Sequence, residues 1–132
     1  MTRKTVKGSF EIETRLLPAD EAAQAVGAMR MSFDKEFEGP LSGKSFVSMM
    51  GVMNREIGSG AYVALEKFMG KLEGRAGSCG MQHSSSMDRG KPTQSILVIP
   101  DSGTDGLAGL RGEMTIDIID EQHYYTFTYE LP

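Results

Sequence analysis

Apolar residues recur at every second position through most of this 132-residue chain, and short clusters of Gly, Pro, Asn and Asp break the runs. Period-two alternation sends successive side chains to opposite faces of a strand, so each run predicts a strand with one face to cover. Val6, Phe10, Ile12 and Leu16 share a face over residues 5–16, against Lys7, Glu11, Glu13 and Arg15. Residues 28–38 repeat the pattern with Met29, Met31, Phe33, Lys35 and Phe37 on one side. Further strands are predicted after the Gly39–Gly43 turn and over 61–72, 78–87, 93–99, 113–118 and 123–131. About eight strands with short connections predict an all-β fold, a closed antiparallel up-and-down barrel. Only Ala19 to Val26, Ala-rich after Pro18 and ending before Gly27, offers a short helix, placed after the first strand.

Between two of these strands lies Ser102 to Glu113, with Gly103, Gly106, Gly109 and Gly112 at every third position. That spacing suits neither a helix nor a strand interior, whereas glycine lets backbone pass close to backbone. Leu107 and Leu110 are expected to tuck beneath this loop and close one end of the barrel, with Gly112 starting the next strand.

The length fits a single domain over residues 1–132 with one well-buried core. A net charge of -4 argues against nucleic acid as a partner. No apolar run is long enough for a membrane helix, and the basic N-terminus has no apolar stretch behind it, so a cytoplasmic location is expected. Cys79 stands alone, which excludes an internal disulfide and points to an inert core thiol. Ten methionines and no tryptophan suggest walls of pliable side chains.

Three motifs fail on inspection. Gly39-Pro40-Leu41-Ser42-Gly43-Lys44-Ser45 is one residue short of a phosphate-binding loop, and a strand rather than a helix is predicted after it. Cys79 and His83 are four residues apart on a strand, roughly 13 Å, too far for one metal ion. Ser84 and Ser86 point away from His83, and no nucleophile elbow is present. No metal and no cofactor are implied.

Lys35 and Glu66 stand out because each interrupts the apolar face of its strand, and a buried charge needs a partner or a wet barrel mouth. His83 has the same placement on its own strand. These three are the expected polar groups of the lumen. Its apolar walls are expected from Met31, Phe33, Tyr62, Phe68, Tyr125 and Phe127. If Lys35 and Glu66 neutralise each other, His83 is left to exchange a proton, and Glu66→Gln is expected to weaken ligand capture at little cost in stability.

Ser32 through Gly39, Leu65 to Phe68, Gly77-Ser78 leading to Met81-Gln82-His83, and the glycine loop from Ser102 to Glu113 carry a family resemblance. They resemble a bacterial family of small, uncharacterised proteins similar to the allene oxide cyclase barrel, which also occurs in plant dirigent proteins. The resemblance spans Gly8 to Leu131 and departs from the family at the insert near Ala19 to Val26 and at Cys79. It implies a calycin-like barrel and no particular reaction.

The leading functional expectation is a lumen that binds a small, largely apolar molecule. The alternative is an isomerase or cyclase acting on such a molecule, and a second alternative is a packed barrel serving as a structural or interaction module. A homo-oligomer is expected too, because Val47, Met49 and Met53, with Val63, Leu65 and Met69, would form an apolar face opposite Phe46, Met50, Tyr62 and Phe68.

Overall fold

Each alternating run becomes a strand, and each strand pairs with its successor in the chain until β8 returns to β1 and closes the barrel. The computed structural model describes residues 2–132. The strands are β1 (Lys4–Leu17), β2 (Met29–Glu38), β3 (Leu41–Asn54), β4 (Ser59–Leu72), β5 (Arg75–Asp88), β6 (Lys91–Val98), β7 (Arg111–Ile119) and β8 (Gln122–Glu130). The insert after β1 forms the short helix α1 (Glu21–Ala25), with the Asp20 side chain accepting from the Ala23 amide as its cap. Its Ala23 is fully buried.

Closure depends on β1 serving two neighbours. Its first half, Lys4 to Phe10, pairs with β8, and its second half, Ser9 to Leu17, pairs with β2. The thinnest seam lies between β6 and β7, where only Ile96 with Met114 and Leu97 with Glu113 are in register. Beyond them the Gln94 side chain takes over the backbone's role. Its Oε1 accepts from the Ile116 amide at 2.7 Å and its Nε2 donates to the Ile116 carbonyl at 3.4 Å.

One end of the barrel is solid. Leu107 and Leu110 are buried beneath the glycine loop, which contains a single 3-10 turn at Asp105–Leu107. The loop also covers the free edge of β5 ahead of its pairing with β6, which starts only at Met81. Thr104 donates its amide to the Ser78 carbonyl at 2.9 Å, and the Gly80 amide donates to Ser102 Oγ at 3.0 Å. Glycine is required by proximity here: a Cβ on Gly77 would stand 2.2 Å from the Thr104 carbonyl oxygen, and one on Gly103 would stand 1.9 Å from that of Leu107. Above this plug the rings of Phe37, Phe68 and Tyr125 meet, Phe37 lying edge-on to the other two at 5.7 and 5.5 Å. The Tyr125 hydroxyl accepts from the Leu41 amide at 3.0 Å and lies 3.2 Å from the Glu38 carbonyl, tying β8 to the β2–β3 hairpin.

On β3 the expected faces are reversed. Val47 is buried and Met49 half-buried, both turned to the lumen, while Phe46, Met50 and Val52 point outward. Both faces of β3 are apolar, so alternation alone could not choose between them; the register with β4 does. Val47 stands opposite Glu66 and Met50 opposite Val63, so the lumen side of β3 follows that of β4. The outer apolar patch is therefore Phe46, Met50 and Val52 with Val63, Leu65 and Met69, and Tyr62 and Phe68 belong to the inside.

Candidate functional site

Midway up the barrel the packed core gives way to a polar layer. Lys35 of β2, Glu66 of β4 and His83 of β5 all point inward, because each shares the parity of its strand's buried residues: Phe37, Phe68 and Met81. All three are buried, and the Glu66 side chain has no solvent exposure at all. Lys35 Nζ donates to Glu66 Oε1 at 3.0 Å, and His83 Nε2 contacts the same oxygen at 2.7 Å. The ammonium also lies over the Phe10 ring, 4.8 Å from its centroid, which gives the cation a second favourable neighbour.

Burial by itself would raise the Glu66 pKa. The His83 hydrogen bond and the Lys35 charge, with the Ser45 hydroxyl beside them, outweigh it and bring the carboxyl down to about 2. The carboxylate is thus ionised under any ordinary condition. Cys79, one layer deeper, is pushed the other way: burial, reinforced by the Glu66 charge, lifts its thiol to about 12. The thiol is a core group.

Above the polar layer the lumen holds a cavity of about 290 Å³. Lys35 and His83 form part of its floor, next to Phe10, and Phe33, Tyr62 and Val47 contribute to its walls. Gln94 and His123 supply the other polar groups, the His123 ring packing on Phe10 at 5.2 Å between centroids. Of the expected lumen residues, Lys35, His83, Tyr62 and Phe33 reach the cavity. Glu66 lies behind the floor, its carboxylate covered by the Lys35 ammonium and the His83 ring. Phe68, Tyr125 and Phe127 do not reach it; they fill the solid half of the barrel, each no more than 2% exposed. Met31 is half-buried on β2 outside the cavity wall.

The sequence reading missed Gln94 and His123, although the signal was present. Gln94 shares its parity with Ile96 and Val98, and His123 shares its parity with Tyr125 and Phe127. Residues 96–99, Ile-Leu-Val-Ile, are apolar without a break, which hides that Leu97 faces out between two buried neighbours.

Residues 6–129 match the signature of a family described as a protein of unknown function, DUF3224. The chain belongs to the DUF3224 family. A crystal structure of a DUF3224 protein of unknown function from Shewanella oneidensis MR-1 is 34% identical in sequence. It superposes with a TM-score of 0.90 over 99% of both chains, so the two share this fold along nearly their whole lengths. No curated protein matches this DUF3224 chain. Among its described residues no helix is long and apolar enough to cross a membrane.

Proposed function

We propose that this DUF3224 barrel is a cytoplasmic binder of a small, largely apolar molecule held in the upper half of its lumen. The observation that supports the reading is the division of the lumen: one half is packed solid, while the other keeps a cavity of about 290 Å³ with apolar walls and a floor that presents Lys35 and His83. A core serving stability alone gains from filling such a space, since a void forfeits packing contacts. Few polar groups among apolar walls are what fixes the orientation of a small ligand. The packed-module alternative draws no support from a half-open lumen. The resemblance to allene oxide cyclase barrels stays a proposal of shared architecture.

The test is titration with an uncharged, environment-sensitive naphthalene dye, comparing the protein with an Ala64→Phe variant. Ala64 lines the cavity, and the larger ring would occupy it. Saturable binding lost in the variant is expected; equal binding by both proteins places the dye elsewhere and rejects the reading.

A second reading concerns assembly. Met50 and Val63 stand opposite each other on the outer face, with Val52, Leu65 and Phe46 beside them, and no carboxylate projects outward from β4 within this patch. We propose that a second copy of the chain covers it, since burial of about 800 Å² per partner is enough for a stable dimer.

A further inference from the structure

We propose that His83 is a proton-transferring base for the lumen ligand, and that the ligand is a small ketone or enone with an acidic C–H beside its carbonyl. The inference rests on the lumen-binding reading above. It starts from what each member of the polar layer can touch. Glu66 has no exposed side-chain surface, so its carboxylate cannot meet a ligand; it acts on its two neighbours. An ionised carboxylate only accepts hydrogen bonds, so the 2.7 Å contact requires the proton on His83 Nε2. In the neutral ring the lone pair is then on Nδ1, which makes no hydrogen bond among the described residues, and His83 borders the cavity. Glu66 is thus a positioning residue that sets the tautomer and offsets the imidazolium once a proton arrives.

Lys35 completes the chemistry. One of its N–H groups is engaged by Glu66, and its head group reaches the same carboxylate oxygen as His83, so the two present adjacent groups to one small molecule. When the C–H bond α to a carbonyl breaks, the proton passes to His83 Nδ1 and the electron pair moves into the enolate. The enolate oxygen accepts a hydrogen bond from Lys35 Nζ, in surroundings with little competing water. The proton then returns to the same carbon, which exchanges it, or to the γ-carbon of an enone, which shifts the double bond. Nothing is oxidised or reduced, and no co-reactant is consumed. The charged or titratable groups facing His83 are Glu66 and Tyr62 from β4, Lys35 from β2 and His123 from β8; β6 and β7 bring the uncharged Gln94 and Ile116.

The experiment uses 2-tetralone in D₂O, a compact ketone with acidic α-hydrogens. Proton NMR follows the loss of the α-hydrogen signal, and saturation-transfer NMR on the same samples measures binding. Wild type is compared with His83→Gln, whose side-chain amide can still donate to Glu66, and with Ala64→Phe. The expected result is saturable binding by wild type that Ala64→Phe abolishes, and, at 2-tetralone concentrations that saturate each protein, exchange at least about 100-fold slower in His83→Gln than in wild type, the scale of a positioned base. Binding without exchange beyond that of free imidazole overturns the proton-transfer inference and leaves lumen binding standing. Exchange that survives His83→Gln removes His83 from the role. Failure of 2-tetralone to bind wild type overturns the ligand class proposed here, while the dye titration judges lumen binding separately. Should His83→Gln fail to fold, ¹⁵N spectra of the wild-type histidines decide: a neutral His83 ring with its proton on Nδ1 would overturn the assignment.

Discussion

Lys35 and Glu66 stand on strands that never pair, β2 and β4, yet their charged ends meet at 3.0 Å across the lumen side of β3. Between them β3 presents Ser45, paired with Lys35, and Val47, paired with Glu66, both too small to block the reach. Two strands apart is about 10 Å, within the joint reach of a lysine and a glutamate across small residues, and the inward curl of the barrel shortens that span further. His83 approaches the same oxygen from β5, on the other side of β4.

This geometry revises the expected cost of Glu66→Gln. With the Glu66 side chain at 0% and that of Lys35 at 4% exposure, removing the carboxylate leaves a buried ammonium unpaired. The substitution should lower unfolding free energy by about 3–5 kcal/mol in urea titrations, whereas a Lys35→Met, Glu66→Leu double variant should recover much of the loss. A loss under about 1 kcal/mol in the single variant would mean that Lys35 finds another partner or reaches water.

Acid stability should carry the signature of the same carboxyl. Its pKa falls from 4.5 to about 2 on folding, so the unfolded chain binds its proton first as pH drops. The stabilisation is therefore complete above about pH 5 and disappears progressively as pH approaches 2. Melting temperatures measured across that window should fall more steeply in wild type than in Glu66→Gln; parallel curves would contradict the depressed value.

Cys79 offers a reporter of global opening. Burial holds its thiol near 12 against 9.0 in an open chain, so ionisation stabilises the unfolded state as pH rises above 9, and native protein keeps the group protonated below that. Ellman's reagent at pH 8 should leave the native thiol untouched and titrate one equivalent in denaturant. Fast labelling of native protein would show that β5 opens locally.

On the outer face, Leu65 is 62% exposed and Val63 57%, positions where a charge costs the monomer little. If a second copy covers them, Leu65→Glu should convert a dimer at micromolar concentration into a monomer in sedimentation velocity, with an unchanged melting curve at low concentration. A wild-type protein that already sediments as a monomer ends the dimer proposal.

Alternation in the sequence determined the number of strands and the inward parity of Lys35, Glu66 and His83, and the glycine spacing determined the loop that buries Leu107 and Leu110, because those signals are local and each strand concerned has one clearly apolar face. It was silent wherever both faces of a strand are apolar, as on β3, whose orientation comes from its register with β4. Depth along the barrel was equally beyond it. Phe33 and Phe37 have the same parity on the same strand, yet one borders a cavity and the other is sealed against Phe68 and Tyr125. That difference is a property of distance from the plug, and of which strands curl across to meet, so it exists only once the sheet has closed.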